Sequence, residues 1–185
     1  MITMGFIKYI LQDHRVRYPR TDIIHILGHY LLTPSYRLII HYRAAQYFYK
    51  KKKNSLRYKF YNLLLIHVAN KYCATIDAPI EIGEGLKFDH GGPFVLNPSA
   101  IIGKHCTIHP NVLIGGNRPK GAPVIGDNCY IGNGAKIIGP CRIGDWVFIA
   151  PGAIITKDVP SEALMGSGLN NLLNMNGKKH VELYY

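Results

Sequence analysis

Aliphatic residues recur at every sixth position through most of the chain after residue 75. The regular series comprises Ile102, Ile108, Ile114, and then Ile125, Ile131, Ile137, Ile143, Ile149 and Ile155. Neither the 3.6-residue period of a helix nor the two-residue period of a strand produces this spacing. A hexapeptide parallel β-helix does, because each six residues form one flat side of a triangular coil. The pattern therefore predicts a mainly β protein whose aliphatic side chains fill the coil, with glycine often at the corners.

A second position follows the same period, four residues after each aliphatic one, and it holds only small or slim side chains. Three of the four cysteines, Cys106, Cys129 and Cys141, occupy it. A thiol at such a position packs as a compact hydrophobe, so we expect these cysteines to be structural. Cys73 precedes the repeat, and its role stays open.

The repeat is interrupted twice. Eight residues rather than six separate Phe88 from Leu96, and the extra residues fall within the sequence DHGG at 89–92. The register shifts again between Ile114 and Ile125, across GGNRPKGAPV, which we interpret as a loop leaving a corner. Because function concentrates in loops and bulges on rigid scaffolds, both interruptions are candidate sites.

The first 70 residues lack the repeat and are predicted to be helical. One helix begins near Thr21, a second at Pro34 and Ser35, and a third covers SLRYKFYNLLLIHVANKY. In the second helix, Leu38, Tyr42, Ala45 and Tyr49 share one face, and Arg37 and Arg43 are expected on another. We predict three regions: a basic helical segment at 1–72, the β-helix at 73–165 and a tail at 166–185.

The chain is basic, with 22 Lys and Arg against 11 Asp and Glu, a formal charge of +11. This charge favours phosphates, acidic sugars or an anionic membrane as partners, and it lies mainly before residue 60. The N-terminus lacks a cleavable leader pattern, and no segment has the roughly 20 apolar residues of a membrane span. We expect a cytoplasmic protein, at the inner face of the membrane if its basic helices bind lipid rather than the coil or a neighbouring subunit. Because the basic segment contains no motif that recognises DNA or RNA, we do not expect nucleic acid as a partner.

Counting hexads places His90 and His109 on the same side of successive coils. Phe88 and Ile108 begin hexads that are three apart, which is one full turn, and neighbouring strands lie about 4.8 Å apart. A neutral imidazole can take a proton from a hydroxyl, and a carboxylate can orient it. We predict His90 as general base, Asp89 or Asp77 as the orienting carboxylate, and His109 as a further site residue. We expect no metal, because His90, His105 and His109 need not converge.

The segment from Ile76 to Met165 resembles the hexapeptide-repeat acyltransferases, in particular their serine acetyltransferase-like branch. FDHGGPFVLNPSAIIGKHCTIHPNVLIGG is similar to the part of that branch that carries a DH pair and a glycine-rich bulge. VIGDNCYIGNGAKIIGPCRIGDWVFIAPGAIITKDVP is similar to its acetyl-CoA-binding coils. The resemblance implies a left-handed β-helix, a homotrimer with sites at subunit boundaries, and direct acyl transfer from acetyl-CoA. The family's catalytic histidine corresponds to His90.

The resemblance also implies which residues contact acetyl-CoA. These are Gly115, Gly116, Gly132, Asn133, Gly134, Ala135, Lys136, Ala150, Pro151 and Lys157. Small residues there would let the pantetheine lie along backbone amides, and either lysine could meet phosphate.

Several positions depart from serine acetyltransferases. Their second loop histidine corresponds to Ala122, and one of their aspartates corresponds to Thr75. Exopolysaccharide and capsule O-acetyltransferases of the colanic-acid type share the short basic N-terminus, His90-Gly91 and His109. We therefore expect transfer of acetyl to a sugar hydroxyl in surface polysaccharide biosynthesis. The alternatives are a serine O-acetyltransferase with a small-molecule acceptor, and a non-catalytic trimeric scaffold at the membrane.

Overall fold

A computed structural model describes residues 4–117 and 120–184, so Met1–Thr3, the Arg118–Pro119 part of the predicted loop, and Tyr185 lie outside the described residues. Four helices come first and a short one comes last: α1 (Met4–Arg15), α2 (Ile23–Leu32), α3 (Pro34–Lys51), α4 (Leu56–Lys71) and α5 (Gly177–Glu182). Between α4 and α5 the strands are β1 (Ala74–Thr75), β2 (Glu81–Ile82), β3 (Lys87–Phe88), β4 (Phe94–Leu96), β5 (Ile101–Ile102), β6 (Thr107–Ile108), β7 (Leu113–Gly115), β8 (Val124–Ile125), β9 (Tyr130–Ile131), β10 (Lys136–Ile138), β11 (Arg142–Ile143), β12 (Phe148–Ile149), β13 (Ala153–Ile155), β14 (Leu164–Met165), β15 (Gly168–Leu169) and β16 (Leu172–Asn174).

The strands form three faces of a parallel β-helix of about four turns. Face A contains β1, β4, β7, β10, β13 and β15; face B contains β2, β5, β8 and β11; face C contains β3, β6, β9, β12, β14 and β16. Chain-consecutive strands belong to different faces, as a triangular coil requires. The predicted mainly β fold with an N-terminal helical segment is confirmed.

The six-residue period specifies the interior of the coil. The aliphatic residues from Ile102 to Ile155 and the three cysteines of the small-residue position are buried in one core cluster. A hydrogen bond with Cys129 and burial raise the pKa of the Cys106 thiol, which suits a packed rather than a reactive cysteine. The structural interpretation of Cys106, Cys129 and Cys141 is confirmed, and Cys73 is exposed.

Glycine recurs at these corners for a reason other than the expected freedom of its backbone angles. In Gly103 and Gly126, which follow face B strands, a Cβ atom would collide with the backbone of the next coil. Four non-glycine residues with positive φ angles, His105, Asn128, Trp146 and Glu162, instead lie two residues before face C strands. Close stacking of coils, rather than backbone freedom, therefore explains the repeated Ile-Gly pairs.

The helices close the first coil. In α3, the Tyr42 hydroxyl donates to the Ile80 carbonyl at 2.8 Å, and Arg43 donates to the Ile82 carbonyl at 2.7 Å. The Arg43 guanidinium also pairs with Asp13 of α1 at 2.7 Å, and both side chains are almost completely buried. The expectation that Arg43 lies away from the packed face is wrong, because Asp13 and backbone carbonyls satisfy its charge inside the protein.

The helix boundaries follow local capping. Asp22, rather than the expected Thr21, caps α2 by accepting from the His25 amide, and Ser55 caps α4 by accepting from the Tyr58 amide. Pro34 opens α3 as predicted. Within the described ranges, 4–117 and 120–184, no helix combines the length and the apolar character that a membrane crossing needs.

Candidate active site

The corner that joins face C to face A brings together most of the residues predicted to function. Phe88 pairs with Ile108, Ile108 with Ile131, and Ile131 with Ile149. The residues that follow these four positions therefore form a column: 89–92, 109–112, 132–135 and 150–152. The same register places His109 directly beside Asp89 on the neighbouring coil.

The two histidines lie on one side of successive coils, as counting hexads predicts. Their ring centroids are 6.1 Å apart, with the rings inclined by 59°. His90 is exposed, and its φ of 62° belongs to the left-handed region, which turns its side chain out of the strand direction. His109 is half-buried against the Tyr130 ring, at 4.8 Å between centroids. The pair thus combines one accessible imidazole with one packed imidazole.

Asp89 is the centre of a charged cluster. Its Oδ1 accepts from Nη2 of Arg17 at 2.9 Å, while its Oδ2 lies 3.5 Å from Nε2 of His109 and 3.7 Å from Nζ of Lys87. Arg17 also donates to the Phe88 carbonyl at 2.7 Å and to the Ser35 hydroxyl at 2.8 Å. One arginine from the helical segment therefore fixes both the carboxylate and the backbone just before His90.

The cluster shifts two pKa values downwards. Burial raises the pKa of Asp89, but the charges of Lys87 and Arg17 outweigh it, so the net shift is down. Burial lowers the pKa of His109, although the Asp89 carboxylate opposes this, and the cations nearby lower it further. At neutral pH the site thus contains an ionised carboxylate next to a neutral His109, which is the state required of a proton acceptor or an orienting base.

The sequence suggested Asp89 or Asp77 as the carboxylate that orients His90. Asp89 contacts His109 instead of the His90 ring. Asp77 is exposed in the turn between β1 and β2, and within the part of the chain that the structure describes its carboxylate pairs with no histidine. The catalytic assignments of His90, Asp89, His109 and Asp77 stay predictions.

Sequence reasoning missed three residues of this site: Arg17, Lys87 and Tyr130. Lys87 could have been found, because side chains two apart on a strand share a face and Lys87 is two residues before Asp89. Tyr130 occupies the equivalent position in the coil below Thr107. Arg17 had no local signal, since 72 residues separate it from its partner Asp89.

The residues expected to contact acetyl-CoA lie at two corners of face A. The segment Gly132 to Lys136, with Ala150 and Pro151, continues the histidine column at the C-to-A corner. Gly115 ends β7, and Gly116 and Lys157 follow β7 and β13, so all three are at the opposite, A-to-B corner. No role for these residues follows from their placement alone.

The glycines of the first group differ in surroundings. Gly134 has a φ of +70° and open space where a Cβ would be, and its amide donates to the Pro110 carbonyl at 3.0 Å. A Cβ on Gly132 would lie 2.7 Å from the Pro151 nitrogen, so that glycine serves the stacking of coils. The corner at Gly134 is therefore open on its outer side, whereas that at Gly132 is closed by the next coil.

The C-terminal segment packs beside this site. Val181 of α5 is fully buried against face C, and the Tyr184 ring lies 4.4 Å from that of Tyr130, centroid to centroid. Tyr130 in turn stacks on Phe148 at 4.5 Å. The segment after β16 therefore supports the aromatic wall on which His109 rests. In the described ranges, no three His, Cys, Asp or Glu side chains are grouped as metal ligands would be.

Comparison with known proteins places these features in a family. Residues 122–157 match the model of the bacterial transferase hexapeptide (six repeats). A serine acetyltransferase of Helicobacter pylori is 31% identical over 135 residues, which cover 71% of this chain and 76% of the relative. A serine acetyltransferase of Synechococcus elongatus is 29% identical over 136 residues, or 71% of this chain and 54% of the relative. The chain thus spans about half the length of that relative.

Solved structures agree with the curated relatives. The crystal structure of Neisseria gonorrhoeae serine acetyltransferase in complex with serine superposes with a TM-score of 0.75 at 25% identity, covering 93% of this chain and 70% of that chain. The expectation of a sugar acceptor in surface polysaccharide biosynthesis is wrong, because the relatives and the structures are consistently serine acetyltransferases. The short basic N-terminus and the His90-Gly91 and His109 pattern do not distinguish a sugar acceptor from serine, because an imidazole can take a proton from either hydroxyl.

Proposed function

The chain belongs to the serine acetyltransferase family, and from this membership we propose that it transfers the acetyl group of acetyl-CoA to the hydroxyl of L-serine. The observation that supports the proposal most is the corner cluster of His90, Asp89 and His109, in the same column of corner residues as Gly134, which has open space where a Cβ would be. An exposed imidazole beside an ionised carboxylate and a neutral histidine suits proton transfer from a hydroxyl acceptor.

His90 acts as the general base in this proposal. Its imidazole accepts the proton of the serine hydroxyl while the hydroxyl oxygen attacks the thioester carbonyl carbon. The tetrahedral intermediate collapses with cleavage of the C–S bond, and the imidazolium returns its proton to the departing CoA sulfur. The products are O-acetylserine and CoA, and no acyl-enzyme forms.

The cations around Asp89 have a role in acceptor binding. Arg17 and Lys87 together outnumber the single carboxylate, so the corner carries a net positive charge when both histidines are neutral. The carboxylate of serine is drawn to this charge, which turns the hydroxyl towards the exposed His90. His109, fixed between Asp89 and Tyr130, forms the wall behind it.

Acetyl-CoA occupies the C-to-A corner in the proposal. The pantetheine follows Gly132 to Lys136 and then Ala150 and Pro151, and Lys136 contacts the phosphates of CoA. Lys157, at the A-to-B corner, lies away from this path. We further propose a homotrimer in which a neighbouring subunit completes the site, as the family resemblance implies. Sedimentation equilibrium of the purified chain tests the trimer independently of activity.

The test of function is a steady-state assay of CoA thiol release with L-serine, compared with D-serine, L-threonine and nucleotide sugars as acceptors. We expect L-serine to give the highest kcat/KM. His90→Ala should lower kcat by roughly 10²- to 10⁴-fold, which is the usual contribution of a positioned base. His67→Ala, an exposed histidine of α4, is the matched control and should retain wild-type turnover.

Two results would contradict the proposal separately. Normal turnover in the His90→Ala variant would remove His90 as the base while leaving the acceptor intact. A higher kcat/KM for a nucleotide sugar than for L-serine would remove serine as the acceptor, whatever the base.

A further inference from the structure

The helical segment contains no acidic residue over a long stretch. Between Asp22 and Asp77 there is no Asp or Glu, whereas nine Lys and Arg occur. Arg43 is buried in an ion pair with Asp13, and Nε of Arg37 donates a hydrogen bond to the Tyr30 carbonyl. The other seven are exposed, namely Lys50, Lys51, Lys52, Lys53, Arg57, Lys59 and Lys71. The exposed Lys and Arg of this stretch therefore lie at and after the end of α3 and in α4, with no acidic residue among them.

The same segment exposes large apolar side chains. Helix α2 buries none of its residues, and Ile24 and Leu32 are 77% and 83% exposed. In α4, Leu56 and Leu63 are 83% and 65% exposed. The strongly exposed apolar residues of the two helices are Ile23, Ile24, Leu27, Leu31, Leu32, Leu56, Phe60, Leu63 and Ile66. We call these residues, with the seven exposed cations, the α2/α4 surface.

The exposed apolar residues of each helix are spaced so that they form a stripe. Ile24, Leu27 and Leu31 are related by i, i+3 and i+7, and Leu56, Phe60 and Leu63 by i, i+4 and i+7, so each set lies on one side of its helix. Soluble proteins normally turn such stripes inwards. Exposed apolar stripes of this size mark an interaction site.

Helices α2 and α4 lie close together on α3. The Tyr30 hydroxyl of α2 is 3.1 Å from Nε2 of His41 in α3, and His67 of α4 is near enough to His41 to lower its pKa, after burial and Arg37. Arg37 also links the end of α2 to Tyr72, the residue that caps α4. Helices α2 and α4, which carry the two apolar stripes, thus pack on the same helix, and the cations lie at or after the end of α3 or in α4.

From this combination we propose that the α2/α4 surface binds the surface of an anionic lipid bilayer. Apolar side chains enter the boundary between headgroups and acyl chains, and the lysines and arginines contact acidic headgroups. A second copy of this surface is a poor partner, because two acid-free cationic faces repel each other. Nucleic acid accounts for the charge but leaves the isoleucines and leucines in water. The helices lie in the interface without crossing it.

The test is co-sedimentation of the full chain with vesicles of phosphatidylcholine alone and of phosphatidylcholine with 30% phosphatidylglycerol. We expect binding to the anionic vesicles, and a clear reduction when the salt is raised from 0.1 to 0.5 M. Triple replacement of Lys52, Arg57 and Lys59 by Gln should lower the partition coefficient by about 10- to 100-fold. Replacement of Leu27 and Phe60 by Ser should weaken binding in a way that low salt does not restore.

The matched control removes three exposed cations outside the surface, by replacing Lys104, Arg142 and Lys179 with Gln. Both triple variants lose the same net charge. If the α2/α4 surface binds the vesicles, only the variant at Lys52, Arg57 and Lys59 loses binding. Equal loss in both variants, or equal binding to neutral and anionic vesicles, would overturn the proposal. So would absence of vesicle binding together with a smaller oligomer for the Leu27→Ser, Phe60→Ser variant, because the face would then join copies of the chain. Circular dichroism confirms that each variant is folded.

Discussion

Arg17 illustrates how much of the site depends on one side chain from outside the coil. Its guanidinium contacts the Ser35 hydroxyl at the start of α3, the Phe88 carbonyl and the Asp89 carboxylate. These three contacts tie the helical segment to the turn that carries His90. Arg17 touches none of the proposed reacting atoms, so we regard it as a positioning residue.

Replacing Arg17 with Met should raise the pKa of His109. The positive charge of Arg17 lowers that pKa, and its loss also leaves the Asp89 carboxylate, which raises it, less neutralised. Lys87 and His90 remain as the other charged or titratable neighbours, and Tyr130 packs on the ring. NMR titration of 15N-labelled histidine measures the shift. We also expect kcat/KM to fall by roughly 10- to 100-fold as the turn before His90 loosens.

Arg15→Met is the control for this experiment, because Arg15 is exposed at the end of α1. It should change neither the titration of His109 nor kcat/KM. Arg17→Lys retains the charge and should recover the titration more fully than the activity, since lysine cannot make the three contacts together. An unchanged His109 titration in Arg17→Met would show that the arginine only supports the fold.

At the scale of elements, the β-helix and the helices respond differently to the same substitution. Gly103 follows β5, and a Cβ there would collide with the Gly126 carbonyl and the Asp127 carboxylate of the next coil. Gly28 lies within α2, where a Cβ meets no atom within 4 Å. Coil stacking therefore constrains the first glycine, and nothing in the surroundings constrains the second.

Gly103→Ala should destabilise the protein by about 1–3 kcal/mol, because the coils must separate to admit the methyl group. Gly28→Ala should stabilise it by up to about 1 kcal/mol, because alanine is the better helix former. Urea unfolding at a fixed protein concentration measures both. Equal effects of the two substitutions would show that the coil spacing is more adaptable than the close contacts indicate.

These elements show which parts of the fold can be predicted from local sequence. The interruptions at 89–92 and after Ile114 were located by counting, because each strand contributes one inward aliphatic residue and any insertion delays the next. The N-cap of α2 was misplaced by one residue, because Thr21 and Asp22 are both good caps. Burial of Arg43 was not predicted, because its partner Asp13 lies in a different helix.

At the scale of the molecule, the coil is closed at both ends by segments outside the hexapeptide repeat. Helix α3 binds carbonyls of the first coil, and β16 pairs antiparallel with β14 at the last. An open β-helix end exposes unpaired backbone groups, so both closures protect against edge-to-edge association. The segment after β16 then returns along face C to the aromatic wall beside His109.

Acid should destabilise the whole molecule as the pH falls below about 6.5, the ordinary pKa of histidine. Burial lowers the folded-state pKa of His14, His41 and His109, so the unfolded chain binds protons first. Their contribution to the free energy of unfolding is complete above pH 6.5 and is lost as the pH falls towards the pKa values of the folded state. Urea midpoints at pH 7.5 and 5.5 should therefore differ, with the lower one at pH 5.5.

His14 is the best residue with which to check this dependence. It is fully buried, with Nε2 2.8 Å from the Arg20 carbonyl. His14→Gln keeps a donor for that carbonyl and removes the titrating group. The difference between the urea midpoints at pH 7.5 and pH 5.5 should therefore be smaller than in the wild type. A drop of undiminished size would assign the acid sensitivity to other groups.

The sequence by itself determined the parallel β-helix, the place of its two interruptions, the buried cysteines and the coil-to-coil proximity of His90 and His109. These properties follow from a six-residue period, which decides locally which side chains point inwards. The tertiary structure alone decided that Arg17 anchors Asp89, that Asp89 faces His109 rather than His90, and that α2 leaves its apolar residues in solvent. Such contacts join residues far apart in the chain, and only the packing of the helices on the coil brings them within reach.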